Sequence, residues 1–232
     1  MHPLFDAHSH LPPPGSPEPG HWCVICGTCE ADGEAVLAHA AGREKVIPML
    51  GLHPWFVAEA APGWDLRLEA LLRPHRCGVG ECGLDFSRQS ADRAEQEAAF
   101  RTQLRLAHTL GRPVAIHAVQ AWGRLLDLLW EEGVRPAGAL VHAYSGSPET
   151  AQALQGLGIY LSFSGDLLAP HRPKLQEALR AVAPDRLLLE SDGTAELGAV
   201  LEAAAALRGV TPELLAAQTW ENGRQCFKEW LA

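Results

Sequence analysis

The sequence predicts an abbreviated α/β fold of the (β/α)8 TIM-barrel class, and three observations carry that expectation. Eight short apolar runs punctuate the 232 residues, most of them separated by stretches of helical periodicity. The runs are apolar throughout rather than alternating, as strands buried on both faces are. Histidines or carboxylates recur at their C-terminal ends, where barrel active sites lie. A chain of this length fits one large domain spanning residues 1–232, with neither an internal repeat nor a linker to divide it.

In chain order the strands are expected at residues 4–10, 22–28, 46–53, 77–85, 113–117, 138–142, 159–164 and 187–192. The clearest helix starts after Ser90 as N-cap, with Asp92 at the positive end of its dipole. Phe100, Leu104, Ala107 and Leu110 form its apolar stripe, and Gly111 with Pro113 stops it. Ser147-Pro148-Glu149 and Thr211-Pro212-Glu213 open two more, each with a hydroxyl cap and proline at the first position. Leu175, Leu179 and Val182 mark another, and an alanine-rich helix follows Glu196. The first crossover is different. The stretch from Pro12 to Gly20 holds five prolines, so a loop is expected in place of the first helix.

Composition bounds the function. Hydrophobic residues at 47% and charged residues at 20% describe an ordinary globular chain. The formal charge of −9 disfavours broad adhesion to nucleic acid or anionic membrane, although a bound cation still permits local contact with one phosphate. No apolar stretch approaches membrane-spanning length, and the N-terminus lacks a basic region followed by an apolar one, so the expected compartment is the cytoplasm. Six cysteines in such a chain are not a disulfide framework. Cys23, Cys26 and Cys29 lie on or beside a buried strand without a second pair at zinc spacing, and read as small apolar residues.

The chemistry gathers at the strand ends. His8 and His10 share one face of the first strand, with Ser9 on the other. Two neutral imidazoles suit a transition metal better than a magnesium-only site. His53 ends the third strand, Glu81 and Asp85 lie in the fourth, and His117 and His142 end the fifth and sixth. Glu190 and Asp192 fall in the eighth. Such clustering of histidine and carboxylate is the mark of a metal site. Trp55 and Trp122, just past strand ends, are positioned to pack or to stack on a base.

The chain resembles the TatD family of metal-dependent hydrolases, within the amidohydrolase-like superfamily. The resemblance is carried by Phe5-Asp6-Ala7-His8-Ser9-His10-Leu11, Gly51-Leu52-His53-Pro54, Gly80-Glu81-Cys82-Gly83-Leu84-Asp85 and the helix from Gln96 through Phe100 to Gln103-Leu104. It continues in Arg112-Pro113-Val114-Ala115-Ile116-His117, Val141-His142-Ala143-Tyr144-Ser145-Gly146, Leu189-Glu190-Ser191-Asp192 and Asn222. It implies two divalent ions, drawn from zinc, magnesium, manganese and nickel. His8, His10 and Asp192 would hold one, His117 and His142 the other, and Glu81 both. It further implies phosphodiester hydrolysis on DNA, with Asp192 and Glu81 as the catalytic carboxylates and Asp192 accepting a proton from the attacking water. His53 would contact substrate, and Glu190 would support from behind.

The departures fall on the substrate rim. Ala118-Val119-Gln120 follow His117 where the family carries an arginine and an aspartate, and Gly193-Thr194-Ala195-Glu196 replace the usual segment after Asp192. Two other readings therefore stand beside the nuclease: hydrolysis of a small ester, lactone, amide or phosphate, and metal binding without catalysis. Against the lysine-bridged barrels, none of Lys45, Lys174 and Lys228 lies at the C-terminal end of a strand. The expected substrate is DNA or a small phosphoester, with no membrane partner and a monomeric state.

Overall fold

The computed structural model describes residues 4–14, 16, 20–87, 92–133 and 138–227. Eight strands form: β1 (Phe5–Ser9), β2 (Trp22–Cys26), β3 (Val46–Leu50), β4 (Gly78–Asp85), β5 (Val114–Val119), β6 (Ala139–Val141), β7 (Tyr160–Phe163) and β8 (Leu187–Leu189). The helices are α1 (Glu30–Ala40), α2 (Trp64–Leu72), α3 (Arg93–Leu110), α4 (Trp122–Glu132), α5 (Pro148–Gly156), α6 (Pro173–Ala181), α7 (Leu197–Arg208) and α8 (Pro212–Cys226). The strands pair in chain order from β1 to β8. The registers of β3 with β4, β4 with β5, β6 with β7 and β7 with β8 are all parallel. β8 also lies against β1. This is the (β/α)8 class expected from the sequence.

Between β1 and β2 the described residues form no helix, and the Ser16 amide closes a turn on the Pro13 carbonyl at 3.1 Å. Residues 15 and 17–19 of that proline-rich stretch lie outside the described residues, as does Ser90. The cap of α3 is Asp92. Its carboxylate accepts the Ala94 amide at 3.0 Å, and Glu95 reaches back to the Asp92 amide to complete a capping box.

The chain divides into two compact units, residues 25–139 and residues 1–24 with 140–232. In the first, α3 lays Phe100, Leu104 and Ala107 onto the buried faces of the central strands. Its outer side is tied to α4 by Arg101, Arg105 and Arg124, which pair with Glu97, Glu131 and Glu132. In the second unit the last helix returns to the first strand. The Phe5 ring stacks on Phe227 at 5.9 Å and meets Trp220 edge-on at 6.0 Å. Gly223 permits this approach, since a Cβ there would sit 2.6 Å from the Phe5 ring. Asn222 donates to the carbonyls of Pro184 and Leu187, both at 2.7 Å, and so fixes α8 to the entry of β8.

Candidate metal centre

Within residues 1–24 and 140–232, three strand ends contribute donors. His8 is fully buried on β1, His10 lies one residue beyond it, His142 follows β6, and Asp192 follows β8. The His8 and His142 rings stack at 3.9 Å, inclined by 13°. Asp192 Oδ1 lies 3.5 Å from His10 Nε2 and 3.9 Å from His8 Nε2. One donor atom from each of His8, His142 and Asp192 falls within 4.8 Å of the others. Burial works to raise the Asp192 carboxyl, but His10, His142 and His8 outweigh it and hold the group below its ordinary value.

The backbone is bent to deliver these groups. Asp192 has φ +50° and Ala143, next to His142, has φ +42°. Left-handed conformation at a residue with a Cβ costs about 1–2 kcal/mol. Both positions are tied: the Asp192 amide donates to the His8 carbonyl at 3.0 Å, and the Ala143 amide to Glu190 Oε1 at 2.9 Å. Glu190 also accepts from the Ser162 hydroxyl and stands 3.5 Å from His142 Nδ1. Asp6 sits deeper and accepts the Ser191 amide at 2.9 Å; burial pushes its carboxyl up to about 7 against that bond. A cleft of about 570 Å³ opens beside Asp192, lined by Ser164, Asp166, Thr194 and Glu196 among others.

Within residues 25–139 a second group forms from His53, Glu81 and His117, all buried. Glu81 Oε1 lies 3.1 Å from His53 Nε2 and 2.9 Å from His117 Nδ1. The other nitrogen of His117 faces Asp85 Oδ2 at 3.4 Å. His53 caps the 3-10 helix Pro54–Glu59, its Nδ1 accepting the Trp55 amide at 3.1 Å. An Nδ1 used as acceptor puts the proton of the neutral ring on Nε2, so His53 presents an N–H, not a lone pair, towards Glu81. Asp85 takes the Trp55 indole N–H at 2.6 Å and the Ser87 amide at 2.9 Å. Burial favours its neutral form, but bonds from His117, Ser87 and Trp55 prevail and keep it well below the usual carboxylate range.

Two glutamines of α3 lock this group from behind. Gln96 exchanges two bonds with the Asp85 backbone at 2.8 and 3.0 Å, and Gln103 two with the Leu52 backbone at 2.7 and 3.0 Å. Seven residues apart, they share one helix face. Their roles, and that of Asp85, are absent from a reading of strand ends. The available signal was two amides inside an apolar stripe. At Gly83, with φ +145°, a Cβ would lie 2.0 Å from the His117 carbonyl, so only glycine allows β4 this close to β5.

Each proposed ligand thus stands beside other donors within its own unit. His142 stands with His8, His10 and Asp192, and His117 with His53, Glu81 and Asp85. Mixed imidazole and carboxylate donors fit divalent first-row metals. The thiols of Cys23 and Cys82 are driven well above their ordinary value by burial, which leaves them protonated and unsuited to ligation.

Comparison with known proteins agrees with this chemistry. The family model described as TatD related DNase matches residues 18–228. The 3'-5' ssDNA/RNA exonuclease TatD of Klebsiella pneumoniae is 32% identical over 229 residues, covering 89% of this chain and 86% of the relative. An uncharacterized metal-dependent hydrolase of Escherichia coli, YcfH, is 31% identical over 199 residues, covering 80% and 75%. Among solved structures, the TatD homolog YjjV of Escherichia coli superposes with a TM-score of 0.84 at 24% identity, covering 89% of this chain and 86% of that one. A TatD family hydrolase of Entamoeba histolytica also gives 0.84, at 16% identity over 98% and 99%. The chain belongs to the TatD related DNase family and is a metal-dependent hydrolase of the TatD type.

Proposed function

We propose that this hydrolase removes nucleotides from the 3' end of single-stranded nucleic acid, using two divalent cations. His8, His10, Glu81, His117, His142 and Asp192 would supply the ligands. The observation that carries the reading is the pair of donor groups at the ends of β1, β4, β5, β6 and β8, in a chain a third identical to a TatD exonuclease along most of its length. When bound, such cations supply Lewis acidity towards phosphoryl oxygens and lower the pKa of the attacking water. The residues do the rest. Asp192, ionised because its histidine neighbours favour the carboxylate, takes the proton of that water. With Glu81 engaged by the cations, the His53 Nε2–H that faces it at 3.1 Å would turn to an anionic oxygen of the substrate. Glu190 holds the His142 ring, and Asp85 the His117 ring, in the orientation each ligand needs.

The reading takes the enzyme as a single-domain cytoplasmic monomer. Six free cysteines accord with a reducing compartment, and no helix among the described residues is long and apolar enough to cross a membrane. A second reading, hydrolysis of a small phosphoester or lactone, is favoured by one feature. The cleft beside Asp192 carries Asp166 and Glu196, carboxylates that repel a continuing phosphate chain.

Metal content and cleavage of single-stranded DNA, single-stranded RNA and small esters, with Zn²⁺, Mn²⁺ or Mg²⁺ supplied, test both readings. Wild type should shorten strands from the 3' end, and Glu81→Ala should lose both bound metal and nearly all turnover. Turnover of esters alone would select the second reading, and a fully active Glu81→Ala would remove Glu81 from the site.

A further inference from the structure

We propose that Trp55 is the platform on which the terminal nucleobase stacks. The inference rests on the nucleic-acid reading above and adds the residue that grips the base.

Trp55 lies in the 3-10 helix Pro54–Glu59, directly after His53 and half-buried. Its ring meets His53 edge-on, with centroids 4.8 Å apart at 79°, and His117 at 6.2 Å and 72°. The indole therefore borders the group that holds Glu81. Its orientation is fixed by Nε1, which donates to Asp85 Oδ2 at 2.6 Å. Asp85 is immobilised in turn, its backbone clamped by Gln96 and its other oxygen taken by Ser87. An aromatic ring with two torsions, both set before the ligand arrives, loses little freedom on binding.

The turn joins this ring to His53. Pro54 fixes the local φ, and the Trp55 amide is bonded to His53 Nδ1. The stacking surface and the N–H offered to phosphate are parts of one rigid piece, with a base and its own phosphate as the natural pair to span them. The chemistry suits a substrate of no fixed sequence, because every base has a π face. It also answers the charge problem. A chain of net charge −9 offers a polyanion little long-range attraction, so its hold on a strand must come from short-range contact.

A cycle between side chain and base tests this in the metal-loaded full-length protein. A nuclease-resistant phosphorothioate oligothymidylate, and the same strand with an abasic 3' terminus, are titrated against wild type, Trp55→Phe and Trp55→Leu. Folding of each variant is checked by thermal unfolding. Trp55→Leu should bind the intact strand roughly 5- to 150-fold more weakly, the range of one base–aromatic stack. It should bind the abasic strand as wild type does, and Trp55→Phe should retain most of the intact-strand affinity. Equal weakening of both strands by Trp55→Leu would mean the ring only shapes its turn, and no weakening of either would mean it is idle; both overturn the platform. Failure of wild type to bind either strand would instead overturn the nucleic-acid reading, and the platform with it.

Discussion

Replacing Gln103 with methionine removes both arms of a buried clamp while nearly keeping its volume. In the native chain Gln103 Oε1 accepts the Leu52 amide at 2.7 Å, and Nε2 donates to the Leu52 carbonyl at 3.0 Å. The glutamine is fully buried and Leu52 is 3% exposed, so water cannot replace either partner. Each buried backbone group left without a partner costs about 1–3 kcal/mol. Two such groups give about 2–6 kcal/mol, of which the better burial of a thioether recovers roughly 1 kcal/mol. A net loss of about 1–5 kcal/mol is a large part of the roughly 5–15 kcal/mol that holds an ordinary domain. Urea unfolding followed by circular dichroism measures it, with the midpoint falling and the slope unchanged. Because Leu52 precedes His53, hydrolytic turnover should fall as well. A loss under about 1 kcal/mol would refute the reasoning, since it would show that the Leu52 groups find other partners at no cost.

Other outcomes follow from the same structure. His53→Ala should raise KM for single-stranded DNA while bound metal stays at the wild-type level, because the ring presents an N–H; metal loss equal to that of His8→Ala would make His53 a ligand instead. Bound metal should fall as pH drops through about 6.5, since only neutral imidazole ligates and Asp192 stays ionised there. Full metal content at pH 5 would contradict this. Arg101 and Arg105, with help from Arg124, hold Glu131 and Glu132 below the unfolded value of 4.5. Their contribution is therefore present above that pH and lost as pH falls through the folded values. The stability gap between wild type and Glu132→Gln should be small at pH 7, as for exposed pairs, and should close towards pH 3. A gap of equal size at both would show that the glutamates act by packing.

All eight strands were legible because each is an apolar run with a polar residue where it meets the site. Their ends were less so. β8 stops at Leu189 rather than running to residue 192, because the turn that presents Asp192 needs a left-handed backbone there. β3 stops at Leu50, before the segment that Gln103 clamps. Helix α1 left a faint pattern, with only Gly33 and Val36 buried along it. Within the site, histidines and acids at strand ends announce themselves by residue type. Their supporting partners do not. Gln103 meets Leu52 across 51 positions, and Asp85 meets Trp55 across 30. A carboxylate that orients a ring looks, in sequence, like any other polar residue near a turn.

The seating of Phe5 against Phe227 and Trp220 has a consequence for folding. The strand that carries His8 takes its aromatic bed from residues more than two hundred positions later in the sequence. The bond from Ser191 to Asp6 likewise spans 185 positions. Closing a loop of that length costs chain entropy before any contact repays it, so β1 gains this packing late in folding.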